Sequence, residues 1–143
     1  MRVIKITEKL DVPVDKAWLL FADLKNYPRY FKYVNKIYSK EEMNLHSEWY
    51  DFATFIVPVI VKHKVTVFEK EKQLGFDVNI PLTGYVKERM SFKENGGVTY
   101  IEATIEFNLG HKSFNFPFEE IFEKRMRESI SGAIAKFKKE FKV

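Results

Sequence analysis

LDVPVDKAWLLFADLKNYPRYF, residues 10–31, is the stretch on which the fold turns. Leu10 closes an alternating run over residues 2–10 that places Ile4, Ile6 and Leu10 on one side, the pattern of a strand with one buried face. Glu8 falls on that same side. Pro13 suits the first turn of a helix, where its missing N–H costs nothing, and Asp15 sits near the helix's positive end. Val14, Ala17, Trp18 and Phe21 then recur at helical spacing, which makes Trp18 a core anchor of a short amphipathic helix. The segment Asp23 to Pro28 breaks that helix, and Tyr27-Pro28-Arg29-Tyr30-Phe31 reads as a second short helix or turn.

Beyond this junction the pattern is mainly β. Strands are expected at 33–39, 47–56, 59–70, 73–80, 85–93 and 98–108. Val57-Pro58, Pro81 to Gly84 and Asn95-Gly96-Gly97 supply turn chemistry between them, the last as a tight hairpin. From about Asn115 to Lys142 the period changes to that of a long helix. Its apolar face carries Phe118, Phe122, Met126, Ile130, Ala133, Ile134, Phe137 and Phe141. Glu119, Glu120 and Glu123 near its start and Lys136, Lys138, Lys139 and Lys142 near its end complement the helix dipole. No repeat or linker interrupts the chain, so residues 1–143 are expected to form a single α+β domain.

Composition narrows the function classes. Apolar residues make up 45% and charged residues 31%, a globular balance. Without Cys, disulfides, thiolate chemistry and Cys-ligated zinc are excluded. The start, MRVIKITEKL, has no signal-peptide core, and no apolar run reaches the length needed to span a bilayer, which predicts a cytoplasmic protein without a transmembrane segment. The net charge of +4 comes from bases interleaved with acids and not from a basic stripe, so no nucleic-acid partner is expected. Aromatic content is high, with 14 Phe, 7 Tyr and 2 Trp in a small chain. Some of these rings fill a core, and the surplus reads either as a generously aromatic core or as the lining of a cavity.

The junction carries a resemblance. Leu10-Asp11-Val12-Pro13-Val14-Asp15-Lys16-Ala17-Trp18, followed by Asp23 and then Asn26-Tyr27-Pro28 and Phe31, is similar to the strand-to-helix landmark of the START/Bet v1-like (SRPBCC) superfamily, which includes polyketide cyclase/dehydrase-like and coenzyme Q-binding branches. The order strand, two short helices, six strands and one long helix resembles the same superfamily along the whole chain. The resemblance implies a helix-grip fold, in which a curved antiparallel sheet of about seven strands wraps around the C-terminal helix. It also implies a cavity between sheet and helix, opening near the start of the long helix, for a hydrophobic ligand such as a lipid, a quinone-like or a polyketide-like compound. Phe114, Phe116, Phe118 and Phe122 lie at that end, and Tyr27, Tyr30 and Phe31 would form part of the rim.

Strand alternation nominates the remaining lining. One face of 59–67 holds Val59, Val61, His63, Val65 and Val67; one face of 86–92 holds Val86, Glu88, Met90 and Phe92; one face of 101–107 holds Ile101, Ala103, Ile105 and Phe107. The expected ligand contacts are thus Tyr27, Tyr30, Phe31, His63, Glu88, Met90, Ala103, Ile105, Phe107, Phe118, Phe122 and Met126. Glu8, His63 and Glu88 are ionisable residues on apolar faces, and an unpartnered buried carboxylate is costly, so they are candidates for acid/base chemistry with Arg125 beside the helix stripe as a partner. A shifted register, a strand-end position for Glu8 or a satisfied core position for His63 would each explain them without chemistry. His46, His63 and His111 lack close ligand spacing, so neither a metal nor any cofactor is expected. A carrier of a hydrophobic small molecule is the leading reading. A cyclase/dehydratase-type enzyme and a protein-interaction module with an aromatic rim are the alternatives.

Overall fold

The computed structural model describes residues 2–39, 41–55, 57–80, 84–108 and 118–141, without the side chains of Phe118 and Phe141. Strand β1 (Arg2–Leu10) is followed by helices α1 (Val14–Ala22) and α2 (Asn26–Tyr30). Then come β2 (Val34–Tyr38), β3 (Glu48–Ala53), β4 (Val59–Glu69), β5 (Gln73–Ile80), β6 (Gly84–Asn95), β7 (Val98–Asn108) and helix α3 (Phe118–Phe141). The seven strands form one antiparallel sheet in the order β1-β7-β6-β5-β4-β3-β2. Successive hairpins carry the chain from β2 back to β7, while β1 lies at the edge opposite β2. The two short helices bridge those edges, and α3 packs along β1 and against α2. This curved sheet gripping a C-terminal helix is the helix-grip architecture.

Local chemistry explains the junctions. Pro13 takes the N-cap position of α1 in extended conformation and offers no side-chain cap. The orphan N–H of Val14 instead donates to a Glu94 carboxylate oxygen at 2.7 Å, a cap supplied from the end of β6. Gly96 and Gly97 form the two-residue loop between β6 and β7 with φ of 60° and 80°, the left-handed geometry that such a hairpin requires. Trp18 is buried and meets the rings of Phe68 and Phe92 edge-on at 5.4 and 5.3 Å.

The alternation on β4 holds only as far as Val65. Between Val65 and Val67 the β4–β5 register shifts. Val67 then stands opposite Gly75, where an added Cβ would come within 3.1 Å of the Val67 side chain. The bulge takes Val67 off the inner face and places Phe68 opposite buried Leu74, against Trp18. His63 precedes the bulge and keeps its inward orientation.

Helix α2 is tied to α3 by polar contacts. Arg29 pairs with Glu140 at 3.0 Å, and the Tyr33 hydroxyl donates to Glu128 at 2.8 Å. Lys136 donates to the Arg29 carbonyl at 2.7 Å. Near these contacts Gly132 sits exposed within α3, and a Cβ there would meet nothing within 4 Å. Replacing it by Ala removes backbone freedom from the unfolded chain without a clash. Gly132→Ala is expected to raise stability by roughly 0.5–1 kcal/mol in urea unfolding. A loss of stability would place a neighbour where this packing leaves none.

Candidate functional site

Between the sheet and the middle of α3 lies a small, mainly apolar cavity with an open mouth. Aromatic rings supply much of the wall. Phe21 comes from α1, Tyr27 and Phe31 from α2 and its cap, and Phe55 from the segment after β3. Tyr27 stacks on Phe31 with centroids 4.7 Å apart and lies 5.2 Å from Trp49. Met90, Ala103 and Ile105 form the sheet floor, and Met126, Ser129 and Ile130 form the helix side.

One wall is polar. The alternation of β3 turns Trp49, Asp51 and Ala53 inward and leaves Glu48 and Tyr50 exposed. His63 stands directly across from Trp49 in the β3–β4 register, and the two rings stack in parallel, 3.7 Å apart with 1° between planes. From that position His63 Nε2 reaches Asp51 Oδ2 at 3.1 Å. Four buried polar atoms have no hydrogen-bond partner among the described residues: Trp49 Nε1, Asp51 Oδ1, His63 Nδ1 and Ser129 Oγ. All four belong to residues lining this cavity.

Glu88 joins that wall from β6, between inward-facing Val86 and Met90. By surface area it is half-buried, and it lines the cavity. Burial pushes its carboxyl up to about 7; nearby His63 pulls the other way and Asp51 adds to the rise. Tyr27 is committed elsewhere, since its hydroxyl donates to the Phe21 carbonyl at 2.6 Å. Burial, then the charges of Glu88 and Asp51, hold it well above the ordinary phenol value, so it stays neutral.

The sign of the Glu88 effect on stability follows directly. Between the ordinary carboxylate value of 4.5 and about 7 the folded state keeps a proton that the unfolded chain has lost. Stability therefore falls as pH rises through that window, by at most about 3 kcal/mol. Glu88→Gln cannot ionise. Urea unfolding over this pH range should show a flatter profile for the variant, with its gain over wild type largest above neutrality. Parallel profiles would mean that Glu88 ionises in the fold as readily as in water.

The residues expected from sequence divide. Tyr27, Phe31, His63, Glu88, Met90, Ala103, Ile105 and Met126 line the cavity. Tyr30 does not: it projects to α3, where its hydroxyl donates to Glu140 and its ring meets Phe137 edge-on at 5.4 Å. Phe107 and Phe122 pack on each other at 4.8 Å, with Phe55 a further 5.8 Å from Phe122, so rings fill the space expected to be open there. The cavity thus lies against the middle of α3. Phe114, Phe116 and His111, and the side chain of Phe118, lie outside the described residues.

Two of the ionisable candidates are used elsewhere. Glu8 accepts a hydrogen bond from Ser131 on α3 at 2.8 Å, which joins strand to helix outside the cavity. Arg125 donates to the Phe55 carbonyl and lies over the Tyr33 ring at 5.7 Å, so it is no partner for Glu88. The expected partner of His63 is corrected too: its hydrogen-bonded carboxylate is Asp51. Among the described residues no three His, Asp or Glu side chains converge to hold a metal ion. Among the described residues no helix is long and apolar enough to cross a membrane.

This architecture has many solved counterparts. The Zhui aromatase/cyclase from Streptomyces sp. R1128 superposes with a TM-score of 0.83 at 12% identity, over 99% of this chain and 96% of that one. A START superfamily protein from Mycobacterium smegmatis gives 0.74 at 11% identity, over 96% and 95% of the two chains. Ara h 8.0201 gives 0.74 at 12% identity, over 97% and 96%. The fold is therefore the helix-grip fold of the START/Bet v1-like proteins. No family model and no curated protein matches the sequence.

Proposed function

We propose that the chain binds a compact, mostly apolar small molecule in the cavity beneath α3, with the ligand's polar group against the wall of Trp49, Asp51, His63 and Ser129. One observation carries this reading. Four buried polar atoms that lack partners among the described residues all belong to residues that line one apolar cavity. Leaving such an atom unpaired typically costs about 1–3 kcal/mol, so four of them in an ordinary core would be a heavy burden. A bound molecule with a ring body and a polar end would pair with some of them and bury its apolar surface against Phe21, Phe31 and Met126. The likeness in fold to the Zhui aromatase/cyclase and to a START superfamily protein supports a small-molecule role. Mass spectrometry of the folded protein under non-denaturing conditions is the test, with organic extracts run alongside. A stoichiometric organic adduct that disappears in Met126→Trp supports the reading. An adduct that persists in that variant would place binding outside the cavity.

An enzymatic reading, of the cyclase or dehydratase kind, has its own supporting observation. Asp51 holds His63 through Nε2 and leaves Nδ1 buried without a partner among the described residues, and a carboxyl raised to about 7 lines the same cavity. Such a pair could take a proton from one position of a bound carbonyl compound and give one to another. Asp51→Asn would then abolish turnover of a bound ligand while leaving its uptake measurable, whereas a carrier would show no turnover in either form.

A further inference from the structure

We infer that the ligand's polar end is a protonated amine, so that the cavity selects organic cations with a ring body over alcohols and carboxylates of the same shape. This rests on the ligand-binding reading above and adds the chemical class of the ligand.

The charge of the wall carries the inference. Two carboxylates face the cavity, Asp51 from β3 and Glu88 from β6. Asp51 Oδ1 is buried without a donor, and among the described residues no hydrogen bond reaches the Glu88 carboxylate. Among the described residues no lysine or arginine is ion-paired with either of them. Arg125 is turned to the Phe55 carbonyl, and Arg89, next to Glu88 in the strand, borders the cavity but is itself exposed. His63, the other side chain there able to carry positive charge, already holds Asp51 Oδ2. A ligand carboxylate would meet Asp51 and, once ionised, Glu88, both of its own sign, in a mainly apolar space. An alcohol would satisfy one acceptor. An ammonium group supplies several donors and the missing charge, and buried charge-assisted hydrogen bonds are among the stronger ones. Phe21 and Phe55, which also line the cavity, are aromatic rings of the kind that attracts a cation.

The ionisable groups that line the cavity are Glu88 and Arg89 on β6, Asp51 on β3, His63 on β4 and Tyr27 on α2. Helix α3 contributes Met126, Ser129 and Ile130, and β7 contributes Ala103 and Ile105, none of them titratable. An arriving cation favours ionised Glu88, which makes amine binding tighter as pH rises, with release of a proton on binding. General attraction of cations is not the source, because the chain as a whole carries a net charge of +4.

Three matched fluorescent probes test the inference: naphthylmethylamine, naphthylmethanol and naphthoate, titrated into wild type, Glu88→Gln and Asp51→Asn at about pH 8, where an alkylamine is still protonated. The expected result is that the amine binds wild type roughly tenfold or more tighter than the alcohol, with naphthoate weakest. That preference should shrink at about pH 5.5, where carboxyls near their raised value are protonated, and in each variant. Alcohol or naphthoate binding as tight as the amine overturns the inference and leaves a small-molecule cavity standing. An amine preference untouched by both substitutions also overturns it, since the amine would then sit elsewhere. Binding of none of the three probes defeats the underlying ligand-binding reading as well.

Discussion

Ile134→Asp is expected to lower the melting temperature by at least about 10 °C or to leave no folded state at all. Ile134 keeps 2% of its surface exposed and its neighbour Ala133 keeps none, so this face of α3 is interior. The substitution removes a branched aliphatic side chain, which alone costs about 2–5 kcal/mol when the site cannot collapse. It also puts a carboxylate into a cluster of apolar side chains with no cation to meet it, and that group must either stay protonated or draw in water. Typical domains have only about 5–15 kcal/mol in total. Ala135, one residue along on the exposed face, is the control. Ala135→Asp keeps the helix length and adds the same charge, and thermal melting followed by circular dichroism should place it within a few degrees of wild type. Equal melting temperatures for the two variants would mean that α3 does not dock by the face that carries Ile134.

The periodic parts of the sequence were readable because each buried face repeats a simple spacing. Ile4, Ile6 and Leu10 mark β1, and the run from Phe122 to Phe137 marks the docked face of α3; both elements appear where the pattern placed them. The Asn95-Gly96-Gly97 signal was equally direct, because few other residues adopt positive φ at both loop positions. The strand of 47–56 was expected longer than the observed Glu48–Ala53, because Phe55 looks β-forming alone but leaves the ladder to face Phe122.

The candidate site was legible only in part, for physical reasons that differ from residue to residue. Alternation exposed His63 and Glu88 because a charged residue within an apolar face stands out. The same rule applied to 47–56 puts Trp49 and Asp51 on one face, so the partner of His63 was within reach of the pattern but was not drawn from it. The Val65–Val67 bulge left no such mark, since a bulge adds a residue without changing composition. Tyr30 was misplaced because it lies next to true cavity residues in the chain. Tyr27 and Phe31 are four apart and share a face of α2, whereas Tyr30 is turned about a quarter-circle away toward Glu140. Phe107 and Phe122 show the deeper limit: which aromatic rings close a space and which leave it open depends on pairing across the sheet, which no single strand encodes.

Met126→Trp, measured with Ala133→Phe, tests the internal site most directly. Both positions are on the apolar face of α3, but Met126 lines the cavity and Ala133 is fully buried away from it. Growth into filled space forces neighbours off their rotamers and typically costs about 1–3 kcal/mol, whereas growth into a void adds contacts. Titration of an apolar fluorescent probe into wild type and both variants, with a thermal melt of each, separates the two cases. A ligand-binding cavity beneath α3 predicts that Met126→Trp melts close to wild type yet takes up no probe, and that Ala133→Phe melts several degrees lower while its folded fraction still binds. Equal losses of stability in the two variants, with no probe uptake by wild type, would contradict it and return the aromatic surplus to an ordinary core.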